Sequence, residues 1–194
     1  MDLTTLVRRC RQGDPLAWET LVRRFQGRVY GLAYHYLGNA EEARDLAQDV
    51  FVRIYTRLET CTNEETFVPW MIRIARNLCI DRMRRLKARP QAVGTPVDEM
   101  THLASGHPGP EERFDTRFRR SLVRRALAKL GGVSREIIIL KDMQGLALEE
   151  IAKMLNLPIG TVKSRSNRAR IQLAREILAI TGEPVEAGDE GPTP

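Results

Sequence analysis

The segment from Gly160 to Arg175 concentrates basic, hydroxyl and amide side chains, the groups that hydrogen-bond to the bases and phosphates of nucleic acid. If Val162 points into a core, helical spacing turns another face outward, with Thr161, Lys163, Ser164, Asn167, Arg168 and Ile171. Lysine and arginine can donate to guanine, and asparagine can pair with adenine. Three arginines are better placed to contact phosphates: Arg165, Arg170 and Arg175. We therefore predict a helix that reads the major groove of DNA.

The residues before this helix have the pattern of a helix-turn-helix. Two helices that cross tightly need a small residue at the crossing, and Ala152 lies where one is required. Asn156 and Gly160 suit the turn and the entry to the second helix. A small core is expected from four apolar residues, Ile151, Leu155, Leu157 and Val162. The arginines alone would indicate an ordinary solvated helix, but the preceding helix and turn favour DNA binding.

An acidic face occurs earlier in the chain. Asp45, Gln48 and Asp49 share one helical face, opposite the apolar face of Leu46, Val50 and Ile54. The cluster lacks the histidines or second carboxylate helix that a metal site needs, and the chain's three histidines have no ligand spacing. No nucleophile–base pair, phosphate loop or dinucleotide motif is visible, so we expect neither an enzyme nor a cofactor. The face is either solvated or docks a protein, because it would repel DNA.

Helical periodicity in both halves of the chain predicts an all-α fold without strands. We expect two small helical domains, residues 1–87 and 114–180. A flexible linker over residues 88–113 is predicted from its prolines and glycines. Residues 181–194 are expected to form a disordered acidic tail.

Several residues mark where the helices begin. Asp14 can cap a helix that has Pro15 in its first turn, and Asn39 can cap the next, with Glu42 as its capping-box partner. Thr66 and Ser134 are the predicted caps of two later helices. The first helix of the second domain is expected to bury one apolar stripe, formed by Phe118, Leu122, Ala126 and Leu130.

The composition favours a soluble, basic protein. The 194 residues are 42% hydrophobic, which is typical of a folded protein. The net charge of +6 favours an acidic partner such as nucleic acid, although many basic proteins bind none. Cys10, Cys61 and Cys79 form no CxxC pair and fit apolar positions in a reducing compartment. Since no signal peptide or membrane-length apolar run is visible, we expect a cytoplasmic protein without membrane insertion.

Three stretches occur in this order: DLAQDVFVRIY from Asp45, FVPWMIRIARNLCIDRMRR from Phe67, and GTVKSR from Gly160, followed by RAR from Arg168. Together they resemble the sigma-70 family of transcription initiation factors, specifically its small extracytoplasmic-function (ECF) branch. The resemblance covers roughly residues 1–180. It implies a sigma region 2-like helical bundle in the first domain and a sigma region 4-like helix-turn-helix in the second.

The resemblance also implies roles for individual residues. The first stretch would dock on core RNA polymerase through Asp45, Gln48, Asp49 and Arg53. The second would contact the minus-ten promoter element and help separate its strands through Trp70, Arg73, Arg76, Asn77, Arg84 and Arg85. The third would read the minus-thirty-five element through Thr161, Lys163, Ser164, Arg165, Asn167 and Arg168.

Further expectations follow from the same resemblance. The loop over residues 59–65 would hold a base turned out of the stack, with Trp70 or Phe67 as a stacking surface. Asp81 would pair with a nearby arginine. The linker would thread toward the polymerase active-site cleft. An anti-sigma protein is the expected inhibitor, and the acidic tail is a candidate shield for the recognition helix.

Two residues depart from the family's pattern. Ser166 stands where a bulky apolar side chain is usual, so we expect looser packing of the recognition helix. Ala147 stands where serine or threonine often caps a helix, and a missing cap costs about 1 kcal/mol. A one-component or two-component regulator is the main rival to a sigma factor. It would need a ligand pocket or receiver domain in the first half, which lacks strand patterns.

Overall fold

Residues 1–88 and 110–182 are described in the computed structural model, and every regular element within them is helical. The chain divides into two compact units, Met1–His107 and Pro108–Pro194. The predicted all-α class, with two small helical domains, is therefore confirmed.

Within residues 1–88, the first unit has four α-helices connected by short turns. They are α1 (Leu3–Arg11), α2 (Pro15–Leu37), α3 (Ala40–Arg57) and α4 (Phe67–Ala88). Two 3-10 turns, Leu58–Thr60 and Glu64–Thr66, lie between α3 and α4, where the sequence predicts a polar loop. Helix α2 is central, because it packs against each of the other three helices.

Short polar side chains set the starts of α2 and α3 as predicted. Asp14 Oδ1 accepts hydrogen bonds from the backbone N–H groups of Leu16 and Ala17, at 3.0 and 3.2 Å. Asn39 Oδ1 accepts from the N–H of Glu42 at 3.0 Å. Each cap satisfies backbone donors that the first helical turn leaves without a helical partner.

The core of the first unit comes from one apolar stripe on each helix. Its fully buried side chains include Leu6, Val7, Leu21, Val29, Leu32, Leu46, Val50, Ile54, Phe67, Met71 and Ile72. The rings of Phe25 and Phe67 lie 5.6 Å apart and join α2 to the start of α4. All three cysteines are buried and free, in agreement with the expected apolar role.

The second unit is built around its last helix. It contains α5 (Pro110–Lys129), α6 (Gly132–Ile138), α7 (Leu148–Leu155) and α8 (Ile159–Thr181), with a π-helical turn at Ile139–Met143 directly after α6. Helix α8 packs against α5, α6 and α7. Buried residues of this unit include Ala126, Leu127, Leu130, Ile137, Leu140, Ile151, Val162 and Ala169.

Some predicted boundaries differ from those observed. Helix α4 includes Ala88, α5 begins at Pro110, and α8 includes Thr181, so each helix extends into the predicted linker or tail. Gly182 then ends α8 in the left-handed conformation, with φ of 75°. The remainder of both segments, residues 89–109 and 183–194, lies outside the described residues.

Two local predictions are wrong, those for Ser134 and Phe118. Ser134 lies inside α6, which begins after Gly131. Phe118 is 56% exposed, since the buried stripe of α5 lies further along the helix. Thr66 lies directly before α4, at the end of a 3-10 turn whose own N-cap is Asn63, and its capping of α4 stays a prediction.

Candidate nucleic-acid interfaces

Helices α7 and α8 form the predicted helix-turn-helix. Asn156 adopts the left-handed conformation, with φ of 53° and ψ of 51°, and ends α7. The N–H of Leu157 donates to the carbonyl oxygen of Ala152 at 3.0 Å and closes the turn. Ile151 and Val162 are fully buried, whereas Leu155 and Leu157 are half-buried. The predicted core between the two helices therefore exists, with Ile151 and Val162 at its centre.

The side of α8 predicted to read DNA faces solvent. Thr161 is half-buried, and five further predicted residues are exposed: Lys163, Ser164, Arg165, Asn167 and Arg168. Arg168 folds back along the helix, where its Nε donates to the carbonyl oxygen of Ser164 at 3.4 Å. Ser164 Oγ in turn donates to the carbonyl oxygen of Thr161 at 3.1 Å. This face therefore presents donors and acceptors of the kind that recognise base edges.

Two polar contacts hold α8 against the π-turn. Ser166 is buried, and its Oγ accepts a hydrogen bond from Lys141 Nζ at 3.3 Å. One helical turn later, Arg170 forms a hydrogen-bonded ion pair with Asp142. The hydrogen bond to Asp142 raises the pKa of Arg170 above its ordinary value. The predicted phosphate contact by Arg170 would compete with this ion pair. Looser packing of the recognition helix at Ser166 stays a prediction, and the hydrogen bond from Lys141 is a contact that the local sequence pattern does not indicate.

The acidic side of α3 has the predicted orientation. Four residues assigned to polymerase binding are exposed: Asp45, Gln48, Asp49 and Arg53. Opposite them, Leu46, Val50 and Ile54 are buried.

Arg82 joins this acidic side to α4. Its guanidinium lies 2.5 Å from Glu42 Oε2 and 3.1 Å from Asp49 Oδ2. The hydrogen bond to Glu42 raises the pKa of Arg82 above its ordinary value. Arg82 was not among the predicted site residues, although its place in a basic helix facing an acidic one was a usable signal. Glu42 was predicted only as a capping-box partner, whereas its carboxylate binds Arg82 of α4.

Helix α4 carries the residues predicted to meet the minus-ten element. Arg73, Asn77, Arg84 and Arg85 are exposed, whereas Trp70 and Arg76 are half-buried. Asp81 lies 3.7 Å from Arg84, which agrees with the expected ion pair. These side chains form a basic surface along α4, which suits contact with phosphates.

Phe67 is not available as a stacking surface for a base. It is fully buried, with Phe25 on one side and the Trp70 ring centroid 5.8 Å away on another. An aromatic residue at the first position of α4 faces the core, because the helix enters the bundle there. Trp70 retains some exposure and stays the single aromatic candidate of the two.

Neither a cluster of metal-binding side chains nor a membrane-length apolar helix occurs among the described residues. Among residues 1–88 and 110–182, no three histidine, cysteine or acidic side chains are close enough to hold a metal ion. Within the same ranges, no helix combines the length and apolar character that crossing a bilayer requires.

Both units match parts of one protein family. Residues 21–89 match Sigma-70 region 2, and residues 120–173 match Sigma-70, region 4. The first match covers α2 from Leu21 onward, α3 and α4, and the second runs from the middle of α5 to Leu173 in α8.

Curated proteins and solved structures show the same similarity. The chain is 32% identical over 176 residues to the ECF RNA polymerase sigma factor SigW of Bacillus subtilis, covering 88% of this chain and 94% of SigW. It is 31% identical to the ECF RNA polymerase sigma-E factor of Escherichia coli K12, with coverage of 90% and 94%. The structure of CnrH in complex with the cytosolic domain of CnrY superposes with a TM-score of 0.65 at 25% identity, covering 92% of this chain and 99% of that one.

Proposed function

The chain belongs to the ECF branch of the sigma-70 family, whose members are transcription initiation factors and not enzymes, and from this premise we propose how it binds polymerase and promoter DNA. Helix α8 reads the minus-thirty-five element, α4 contacts the minus-ten element, and the acidic side of α3 docks on core RNA polymerase. We also propose a cytoplasmic location, because RNA polymerase acts there.

The observation that carries the proposal is the exposed polar face of α8 opposite its buried side. Val162, Ser166 and Ala169 face the core, so the residues between them project outward from a helix-turn-helix scaffold. Lys163 and Arg168 can donate to guanine, and Asn167 can pair with adenine. Arg165 supplies charge for the phosphate backbone.

The basic surface of α4 supports contact with the minus-ten element. Arg73, Arg84 and Arg85 are exposed and can follow the backbone of a strand. Asn77 adds a hydrogen-bonding amide to the same helix, and Trp70 offers part of an aromatic ring for stacking. Arg76 completes the set that we assign to this element.

Protein docking is supported by the charge of α3. Asp45 and Asp49 would repel DNA phosphates, so this side suits a protein partner, and Gln48 and Arg53 add polar groups to it. We also propose an anti-sigma factor as inhibitor. CnrH, which has the same fold, was solved in complex with the cytosolic domain of another protein.

Run-off transcription with core polymerase and a randomised promoter library tests the proposal. The full chain should support initiation from promoters that share one minus-thirty-five and one minus-ten motif. Asn167→Ala should weaken base preference at one minus-thirty-five position by about tenfold. Gln172→Ala, an exposed amide further along α8, is the matched control and should leave the motif unchanged. If the wild-type chain supports no promoter-specific initiation with core polymerase, the proposal is wrong.

A further inference from the structure

A single arginine ties the turn region between α3 and α4 to α1. Arg11 Nη1 lies 2.5 Å from Glu64 Oε1, and Arg11 Nη2 donates to the carbonyl oxygen of Cys61. The two partners are 53 and 50 positions away in the chain. Both side chains of the ion pair are 21% exposed, so the contact is largely shielded from solvent.

The turn that Arg11 holds is also ordered by its own hydrogen bonds. Asn63 Oδ1 accepts from the N–H of Glu65 at 2.8 Å, and the Asn63 carbonyl oxygen accepts from Thr66 Oγ1 at 2.8 Å. Cys61 is buried, and its Sγ donates to the same carbonyl oxygen at 3.4 Å. Thr62, Asn63 and Glu65 are nevertheless exposed, so the turn presents polar groups beside the start of α4.

We propose that Arg11 is a positioning residue for promoter opening: it holds the turn Cys61–Thr66 in the shape that receives one unpaired base of the minus-ten element. This inference rests on the proposed function. Arg11 acts through the turn and not on DNA, because its guanidinium already binds two acceptors. Helix α1 lies outside the residues that match Sigma-70 region 2, 21–89, so the family comparison assigns Arg11 no role.

Guanidinium chemistry explains why an arginine suits this position. Its planar fork can donate to a carboxylate and a carbonyl oxygen at once, whereas a lysine ammonium acts as a point charge. A turn held in its binding shape loses less conformational entropy when a base enters, which improves affinity and selectivity. Each contact of Arg11 therefore limits the shapes that the turn adopts before DNA binds.

The charge of Glu64 is a second reason why an arginine suits position 11. A hydrogen bond to its own backbone lowers the pKa of Glu64, and Arg11 and Arg8 lower it further, so the carboxyl group is ionised at neutral pH. Without Arg11, the Glu64 carboxylate would lose its ion pair and keep only the charge of Arg8 nearby, close to the exposed Glu65. Like charges would then repel the DNA backbone at the place where the base must enter.

The test measures base preference with holoenzyme formed from core polymerase and the full chain. Promoters randomised at the minus-ten element are transcribed with wild type, Arg11→Ala, Arg11→Lys and Glu64→Gln. Arg11→Ala should reduce the ratio of preferred to other bases at one minus-ten position by about tenfold and leave the minus-thirty-five motif unchanged. Arg11→Lys and Glu64→Gln should give intermediate losses. Arg9→Ala removes a neighbouring arginine and its 2.5 Å ion pair with Asp14, so it is the matched control.

Alkylation of the cysteines gives a second readout that separates a local change from unfolding. In the wild type all three thiols are buried. Arg11→Ala should speed alkylation of Cys61 at least about tenfold, as expected when one hydrogen-bonded anchor of a buried turn is lost. Cys10 and Cys79 should stay protected, with labelled peptides identified by mass spectrometry. Should Arg11→Ala not fold, Glu64→Gln carries the same two measurements.

The outcomes separate this inference from the proposed function. If wild-type holoenzyme selects no promoter motif, the proposed function is wrong. If wild type selects a motif and both Arg11→Ala and Glu64→Gln select the same one with Cys61 still protected, Arg11 does not position the turn. A loss of preference spread evenly over every promoter position would also overturn the inference, because it would indicate general destabilisation.

Discussion

Lys141 Nζ lies 3.3 Å from Ser166 Oγ and joins the π-turn to the buried side of the recognition helix. The serine is 2% exposed. In this position a bulky apolar residue would leave the lysine without this acceptor. The hydrogen bond therefore gives the buried Ser166 hydroxyl a partner and gives Lys141 an acceptor inside an otherwise apolar core.

This pair should be energetically coupled. Ser166→Ala and Lys141→Met should each destabilise the second unit, because each removes one partner of the bond. The double variant should lose less free energy of unfolding than the two single variants together, with a coupling energy of about 1 kcal/mol. Thermal and urea unfolding of the four proteins measure it. Strict additivity of the two single changes would show that the bond contributes nothing to stability.

Ala147→Ser should stabilise α7. Ala147 is the N-cap and makes no side-chain cap, although its N–H donates to Glu150 Oε2 at 2.9 Å. A serine hydroxyl can accept from the first turn and complete a capping box, which is worth about 1 kcal/mol. The melting temperature should rise. Ala174→Ser, at an exposed position inside α8, is the control and should lower it slightly; a lower melting temperature for Ala147→Ser would contradict the prediction.

Charge reversal on the acidic side of α3 should weaken core polymerase binding. Asp45→Arg reverses an exposed charge that also acts on Arg82, so its melting temperature is measured first, and the complex should lose about tenfold in affinity. A competition assay against the wild type measures this loss. Glu19→Arg, an exposed carboxylate on α2, is the control. If Asp45→Arg competes as well as the wild type, the prediction that this side of α3 contacts core polymerase is wrong.

Stability of the first unit should depend on pH through Asp14. The hydrogen bond from the Ala17 N–H, followed by the contact with Arg9, lowers the pKa of Asp14 below its ordinary value of 3.8. A lowered native pKa means that the stabilisation is present above the ordinary pKa and disappears as the pH falls through the native one. Asp14→Asn keeps a cap but has no charge to titrate. Its deficit in melting temperature at pH 7 should therefore shrink in acid, and a constant deficit would contradict this linkage.

The caps and apolar stripes were predictable because they depend on residues a few positions apart. Asp14 and Asn39 cap their helices as their residue types indicate. The exposed sides of α3 and α8 also follow from helical period once one apolar residue is placed inward. Ser134 and Phe118 were mispredicted, because the local pattern was compatible with more than one helix start or buried face.

The sequence by itself determined the helical class, the two-domain organisation and which residues could share a face, since helical period is a local property. Only the tertiary structure decided the partners of Arg11, Arg82 and Lys141, which lie 25 to 53 positions away. Such pairs depend on the axial position and rotation of each helix relative to its neighbour. The periodicity of the sequence does not determine that relative placement. The same reason places Phe67 in the core and turns Ser166 from an apparent defect into a hydrogen-bonded contact of the recognition helix.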